Sequence, residues 1–142
     1  MQRIREEVGL IGIAEWDVEA YSQGTYLSPT YDHASCLGRE LLEPKRQQYL
    51  QDKQVSRYIK KSMSAFYEKV NDKKPLPTLT VFQKASEYSP EAAFVWLSKL
   101  EEVTDEMTMV LLNRLPSERV ATTAINFAQQ VLIMNKERLQ NK

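Results

Sequence analysis

Pro116-Ser117-Glu118-Arg119-Val120-Ala121-Thr122-Thr123-Ala124-Ile125-Asn126-Phe127-Ala128-Gln129-Gln130-Val131-Leu132-Ile133-Met134-Asn135-Lys136-Glu137-Arg138-Leu139-Gln140 decides the fold class. No glycine interrupts this stretch, and its only proline stands at the front. Val120, Ala121, Ala124, Phe127, Ala128, Val131, Leu132 and Leu139 recur mostly at helical steps, as on one face of an α-helix. Pro116 stops the preceding helix and Ser117 can cap the next one. A helix is therefore predicted from about Glu118 to Gln140.

The pattern extends towards the front. Thr104-Asp105-Glu106 opens a helix carrying Met107, Val110, Leu111 and Leu115. Ser89-Pro90-Glu91 combines an N-cap residue, a proline at the first position and an acid in the first turn. It opens a helix with Ala93, Phe94, Trp96, Leu97 and Leu100 expected inside. Thr78 can cap a helix to about Tyr88, and Asn71-Asp72-Lys73-Lys74-Pro75-Leu76-Pro77 reads as a linker. Lys53 to Val70 is predicted helical, with Val55, Ile59, Met63, Phe66 and Val70 on one face. Pro44 suits the first turn of a helix through about Asp52. Met63, Phe66, Phe94, Trp96, Met107, Met109 and Phe127 fall at helical spacings and are expected in the core.

The front of the chain has another character, for all four glycines lie in the first 38 residues. Val8 to Ala14 is apolar and β-branched, and its two glycines weaken a helix, so a strand is expected there. Glu15 to Tyr21 extends it, Ser22-Gln23-Gly24 turns, and Thr25-Tyr26-Leu27 returns as the second strand of a β-hairpin. Pro29 removes a donor and makes Ser28 to Gly38 an ordered loop. The expected architecture is mostly α (α+β): a single domain over residues 1–142, with a hairpin and loop over 1–38 and a helical part over 39–142.

Length and composition fit this. A chain of 142 residues, 42% hydrophobic and 27% charged, has the size and balance of one globular domain. No run approaches the roughly 20 apolar residues of a membrane span. Met1 to Glu7 is charged with no apolar region behind it, so no signal peptide is expected and the cytoplasm is the expected location. The single Cys36 excludes an internal disulfide and the usual cysteine zinc site, and it is expected to be a buried structural residue. The net charge of zero hides a segregation: residues 1–43 carry −5, residues 44–74 carry +6 and residues 75–142 carry −1. The basic segment contains Lys45, Arg46, Lys53, Arg57, Lys60, Lys61, Lys69, Lys73 and Lys74, with Tyr49, Tyr58 and Tyr67 interleaved. Such a segment can track nucleic-acid phosphates, but the plainer reading is a solvated helix face offsetting the acidic front.

Ser28-Pro29-Thr30-Tyr31-Asp32-His33-Ala34-Ser35-Cys36-Leu37-Gly38-Arg39 gathers an acid, an imidazole, hydroxyls and a thiol just after a strand. Asp32 can ligand Mg²⁺, a hard cation that prefers carboxylate oxygen. Equally, Asp32 can cap a turn and His33 can satisfy a buried carbonyl. A Cys36–His33 nucleophilic pair lacks an orienting third group in the sequence. Neither G-x-G-x-x-G nor G-x-x-x-x-G-K occurs, so no phosphate-cradling glycine loop is present.

Leu27-Ser28-Pro29-Thr30-Tyr31-Asp32-His33-Ala34-Ser35-Cys36-Leu37-Gly38 resembles the metal-binding segment of HipA-like protein kinases, where an L-x-P-x-[YF]-D-H-[AG]-S-S-L-G pattern recurs. Leu111 to Pro116, Phe127-Ala128 and Leu132 to Leu139 are similar to the end of the HipA C-terminal domain. The resemblance implies a fragment or degenerate member of a serine/threonine kinase family of the toxin–antitoxin type, with the fold of the kinase C-lobe. It implies Mg²⁺ and ATP as cofactors, Asp32 as the acid that holds the metal, and Tyr31, His33 and Ser35 beside the site. Cys36 departs from the commoner serine. Phosphoryl transfer draws on several parts at once. The family's catalytic Asp and metal-holding Asn would stand just before the Val8 strand, where residues 1–7 contain no Asp, Asn or His. This chain alone is therefore expected to be inactive, with no catalytic residues of its own. The expected partners are an N-lobe-bearing chain or an antitoxin-like protein. The alternative is a non-catalytic interaction module with an exposed apolar patch, in which Trp16, Tyr21 and Tyr26 are candidates.

Overall fold

The computed structural model describes residues 36–141. The strands expected at Val8–Ala14 and Thr25–Leu27, and with them Trp16, Tyr21 and Tyr26, lie outside the described residues. Six helices follow one another: α1 (Glu43–Gln51), α2 (Val55–Ile59), α3 (Thr78–Tyr88), α4 (Pro90–Glu101), α5 (Asp105–Leu112) and α6 (Thr122–Gln140). The described part is mostly helical, as the periodicity predicts.

α1 starts where proline permits, with Glu43 in the first turn and Leu42 extended before it. Its end is a Schellman turn built without glycine. Lys53 adopts φ 52°, its N–H reaches Leu50 O at 3.2 Å, and the Gln54 N–H reaches Tyr49 O at 2.8 Å. Those bonds satisfy the carbonyls a helix end leaves open and offset the cost of a side chain in the left-handed region. The chain then enters α2, whose Val55 and Ile59 are buried.

The helix expected to run on to Val70 stops at Ile59. Serine chemistry takes over. Ser64 Oγ accepts the Phe66 N–H at 3.0 Å and donates to Leu76 O at 2.7 Å. Ser64 N–H also donates to Leu76 O and Leu76 N–H to Phe66 O, at 2.8 and 2.7 Å, so residues 62–66 lie antiparallel to residues 76–78 around a Met63–Pro77 bridge. A hydroxyl that offers the backbone local bonds competes with helix. Met63 and Phe66 are consequently exposed, and Val70 is fully so, rather than in the core.

α3 and α4 are the two helices expected there, joined at Ser89-Pro90. Ser89 stands at the N-cap without a side-chain capping bond, so Pro90 and Glu91 carry the start of α4. Thr104 does cap α5, accepting the Met107 N–H at 3.2 Å. α6 begins later than expected: Pro116 to Arg119 make a separate turn, and extended Ala121 (ψ 146°) precedes Thr122.

α6 is about 28 Å long by its 19 residues. α1, α2, α4 and α5 all pack against it. Phe127 and Val131 of α6 meet Val55 and Ile59 of α2, with Leu37, Leu41, Tyr49, Leu50, Tyr58 and Met134 closing around them. The rings of Tyr49, Tyr58 and Phe127 stack in tilted and edge-on pairs with centroids 5.1–6.1 Å apart, geometries that add to the simple burial of area. Both polar atoms of the buried Gln129 side chain have a partner, Nε2 donating to Asp105 O at 2.9 Å and Oε1 accepting from Thr108 Oγ1 at 3.0 Å. Lys136 donates to Glu101 O and Val103 O, placing a cation at the C-terminal end of α4.

Candidate functional site

Tyr31, Asp32, His33 and Ser35, the residues nominated by the sequence, lie outside the described residues. The end of their loop is described. Cys36 is exposed, not buried as expected. Leu37 packs on the core, and Gly38 turns the chain at φ 80°. A Cβ at Gly38 would stand 2.6 Å from Phe127 Cε1, so both the backbone and the space demand glycine. Arg46 of α1 fixes this turn from the other side. Its guanidinium donates to Gly38 O at 3.1 Å and to Arg39 O at 3.4 Å, and pairs with Glu43 at 3.1 Å. Tyr58 donates to Glu40 Oε1 at 2.8 Å. Burial, then the Glu40 carboxylate, pushes the Tyr58 phenol up from 10.0 to about 12. The turn that follows the candidate loop is thus clamped onto the core by a ring, a guanidinium and a phenol.

The basic segment is divided by the fold. Arg46 is spent on the Gly38 turn, and Lys45 lies over the Tyr49 ring at 5.1 Å. Tyr49 and Tyr58 belong to the core, which leaves Tyr67 as the exposed aromatic of the three. Lys53, Lys60, Lys61, Lys69, Lys73 and Lys74 are exposed. Among the described residues no group of three or more His, Cys, Asp or Glu side chains could hold a metal ion.

Open depressions lie among the described residues. One of about 510 Å³ is lined by Leu50, Lys53, Val55, Met109, Asn126, Gln129, Gln130 and Met134. Another, of about 420 Å³, lies among Tyr67, Glu68, Leu76, Lys84, Glu87 and Tyr88, where Lys84 pairs with Glu68 at 2.9 Å.

The larger unexpected feature is apolar surface. Phe94 and Trp96, expected inside, are exposed, Phe94 at 73%. On α5, Met107, Val110 and Leu111 are 56%, 55% and 60% exposed. Thr108, Met109 and Leu112, on the opposite side, are partly buried where α5 packs on α6. A helix apolar on both sides has the pattern of one covered on both sides. The sequence carried that signal in Met107, Met109, Val110, Leu111 and Leu112, but periodicity alone assigns every apolar residue inward. Among the described residues no helix is long and apolar enough to cross a membrane. No protein-family model, no curated protein and no solved structure matches this chain.

Proposed function

We propose that this chain is a non-catalytic protein-interaction module, a degenerate relative of the HipA-like kinase C-lobe. The observation that carries the reading is α5: one side packs against α6 while Met107, Val110 and Leu111 face outward with no cover among the described residues. Exposed apolar surface of this kind marks an interaction site when it is contiguous. Against catalysis stands the chemistry available in the sequence: one candidate metal acid, Asp32, and no phosphate-cradling glycine loop. Phosphoryl transfer works by positioning and charge neutralisation from several groups together. Mg²⁺ and ATP remain the cofactors that the resemblance of residues 27–38 implies, with Asp32 as the metal acid.

Two measurements test the reading. Incubation of the purified chain with Mg-ATP is expected to give neither phosphorylation nor a rise in melting temperature. Turnover that disappears in Asp32→Ala would overturn the non-catalytic half. Met107→Ser, measured in dilute solution, is expected to leave unfolding stability within about 0.5 kcal/mol, as at an ordinary surface site. A loss of about 2 kcal/mol or more would make Met107 a core residue and remove the interaction face.

A further inference from the structure

The outward stripe of α5 has exposed apolar neighbours beyond both helix ends. Within α5, Met107, Val110 and Leu111 share one face at helical steps, and the flanking Val103 and Leu115, just outside the helix, are exposed as well. Charges stand at the two ends of this stripe instead of along it. Glu102, Asp105 and Glu106 cluster at its start, and Arg114 stands just past the end of α5. The Glu106 carboxyl is held below its usual range by the backbone N–H at the helix start and by Thr104, with the Lys136 ammonium nearby, so three carboxylates face one cation and this end stays net negative. Arg114 has no ion pair among the described residues.

We infer that this stripe is the contact face of a symmetric dimer, with α5 of one copy lying antiparallel on α5 of a second copy. The inference rests on the interaction-module reading and names its partner. A two-fold axis crossing at the level of Met109 sets Met107 of one copy against Leu111 of the second. The same rotation carries Arg114 of each copy to the acidic start of α5 in the other. A self-complementary patch of this sort is what a closed two-fold contact requires. A parallel pairing would put acid on acid and arginine on arginine. A foreign helix of uniform charge would match one end of the stripe and repel the other. The antiparallel second copy satisfies the apolar residues and both charged ends at once. The stripe is short beside the roughly 800 Å² per partner of a standard interface, so the association is weak and concentration-dependent.

Sedimentation equilibrium of the full chain, from about 5 μM to about 500 μM, reads this directly. The expected result is a monomer–dimer equilibrium within that range. Leu111→Glu, at a site already exposed, is expected to weaken association about tenfold or more by placing paired charges in the contact. Arg114→Glu should weaken it, and Glu106→Arg combined with Arg114→Glu should restore it, while circular dichroism confirms that each variant is helical. A monomer at every concentration, or an association indifferent to Leu111→Glu, overturns the dimer. If Met107→Ser is still neutral to stability in that case, the interaction-module reading stands and only the second copy is excluded. If Met107→Ser unfolds the chain, both fall.

Discussion

Phe127 is fully buried, and what surrounds it explains several residues whose roles the sequence leaves unstated. Gly38 is needed because its φ is positive and because the Phe127 ring occupies the space of a side chain. Tyr58 lies edge-on to the same ring at 5.1 Å and donates a hydrogen bond to Glu40. That phenol makes alkaline stability predictable in sign. Its value rises from 10.0 to about 12 on folding, so between these pH values the unfolded chain releases the proton while the folded chain keeps it. The folded state binds more protons there, and stability falls as pH rises. The contribution is complete below pH 10 and lost by about pH 12. Tyr58→Phe is therefore expected to flatten the fall in unfolding stability between those limits, relative to the unmodified chain, at the cost of one hydrogen bond of about 1 kcal/mol at neutral pH. Parallel pH profiles for the two proteins would show that Tyr58 does not hold its proton in this way.

Helix ends separate what was legible from what was not. Pro44, Pro90 and Thr104 each mark a helix start, because proline and capping residues act through the local backbone alone. The long apolar stripe of α6 was legible from its spacing, although extended Ala121 delays the helix to Thr122 and shortens it. The segment after Ile59 was not legible. Val55, Ile59, Met63, Phe66 and Val70 keep helical spacing, but Ser62 and Ser64 bond to a segment more than ten residues away, and spacing carries no record of that pairing. The outward face of α5 was hidden likewise, since an apolar residue looks the same whether its cover is in the chain or outside it. The nominated Tyr31, Asp32, His33 and Ser35 lie outside the described residues, so of the candidate site only the Cys36–Gly38 end can be set against the fold. Ser64→Ala distinguishes the two accounts of its segment by sign. In a helix, alanine would raise stability by about 0.5 kcal/mol. In the observed turn it leaves the Phe66 N–H without its acceptor, and unfolding in urea is expected to show a loss of about 1 kcal/mol.

At the scale of the molecule, the burial is concentrated. Val55, Ile59, Phe127, Ala128 and Val131 are the buried apolar residues among those described, and α3, α4 and α5 contribute none. α6 is the common wall, and the helices against it are held by half-buried side chains and by bonds such as Gln129 to Asp105 and Lys136 to the end of α4. Such an arrangement leaves stability dependent on one cluster and leaves α4 and α5 with apolar surface to spare. Phe127 joins α2 to α6 and also fills the hollow beneath Gly38, so its removal opens a cavity that several elements border. Truncating a buried phenylalanine costs about 3–5 kcal/mol, and whole domains hold only about 5–15 kcal/mol. Phe127→Ala is expected to remove most of the unfolding free energy, with the urea midpoint falling and the ring-packing signal in near-ultraviolet circular dichroism collapsing before the helical signal does. A variant that loses less than about 1 kcal/mol would mean that the helices are held elsewhere. The apolar faces of α4 and α5 would then be the first place to look, because a chain held there would need them covered within its own fold.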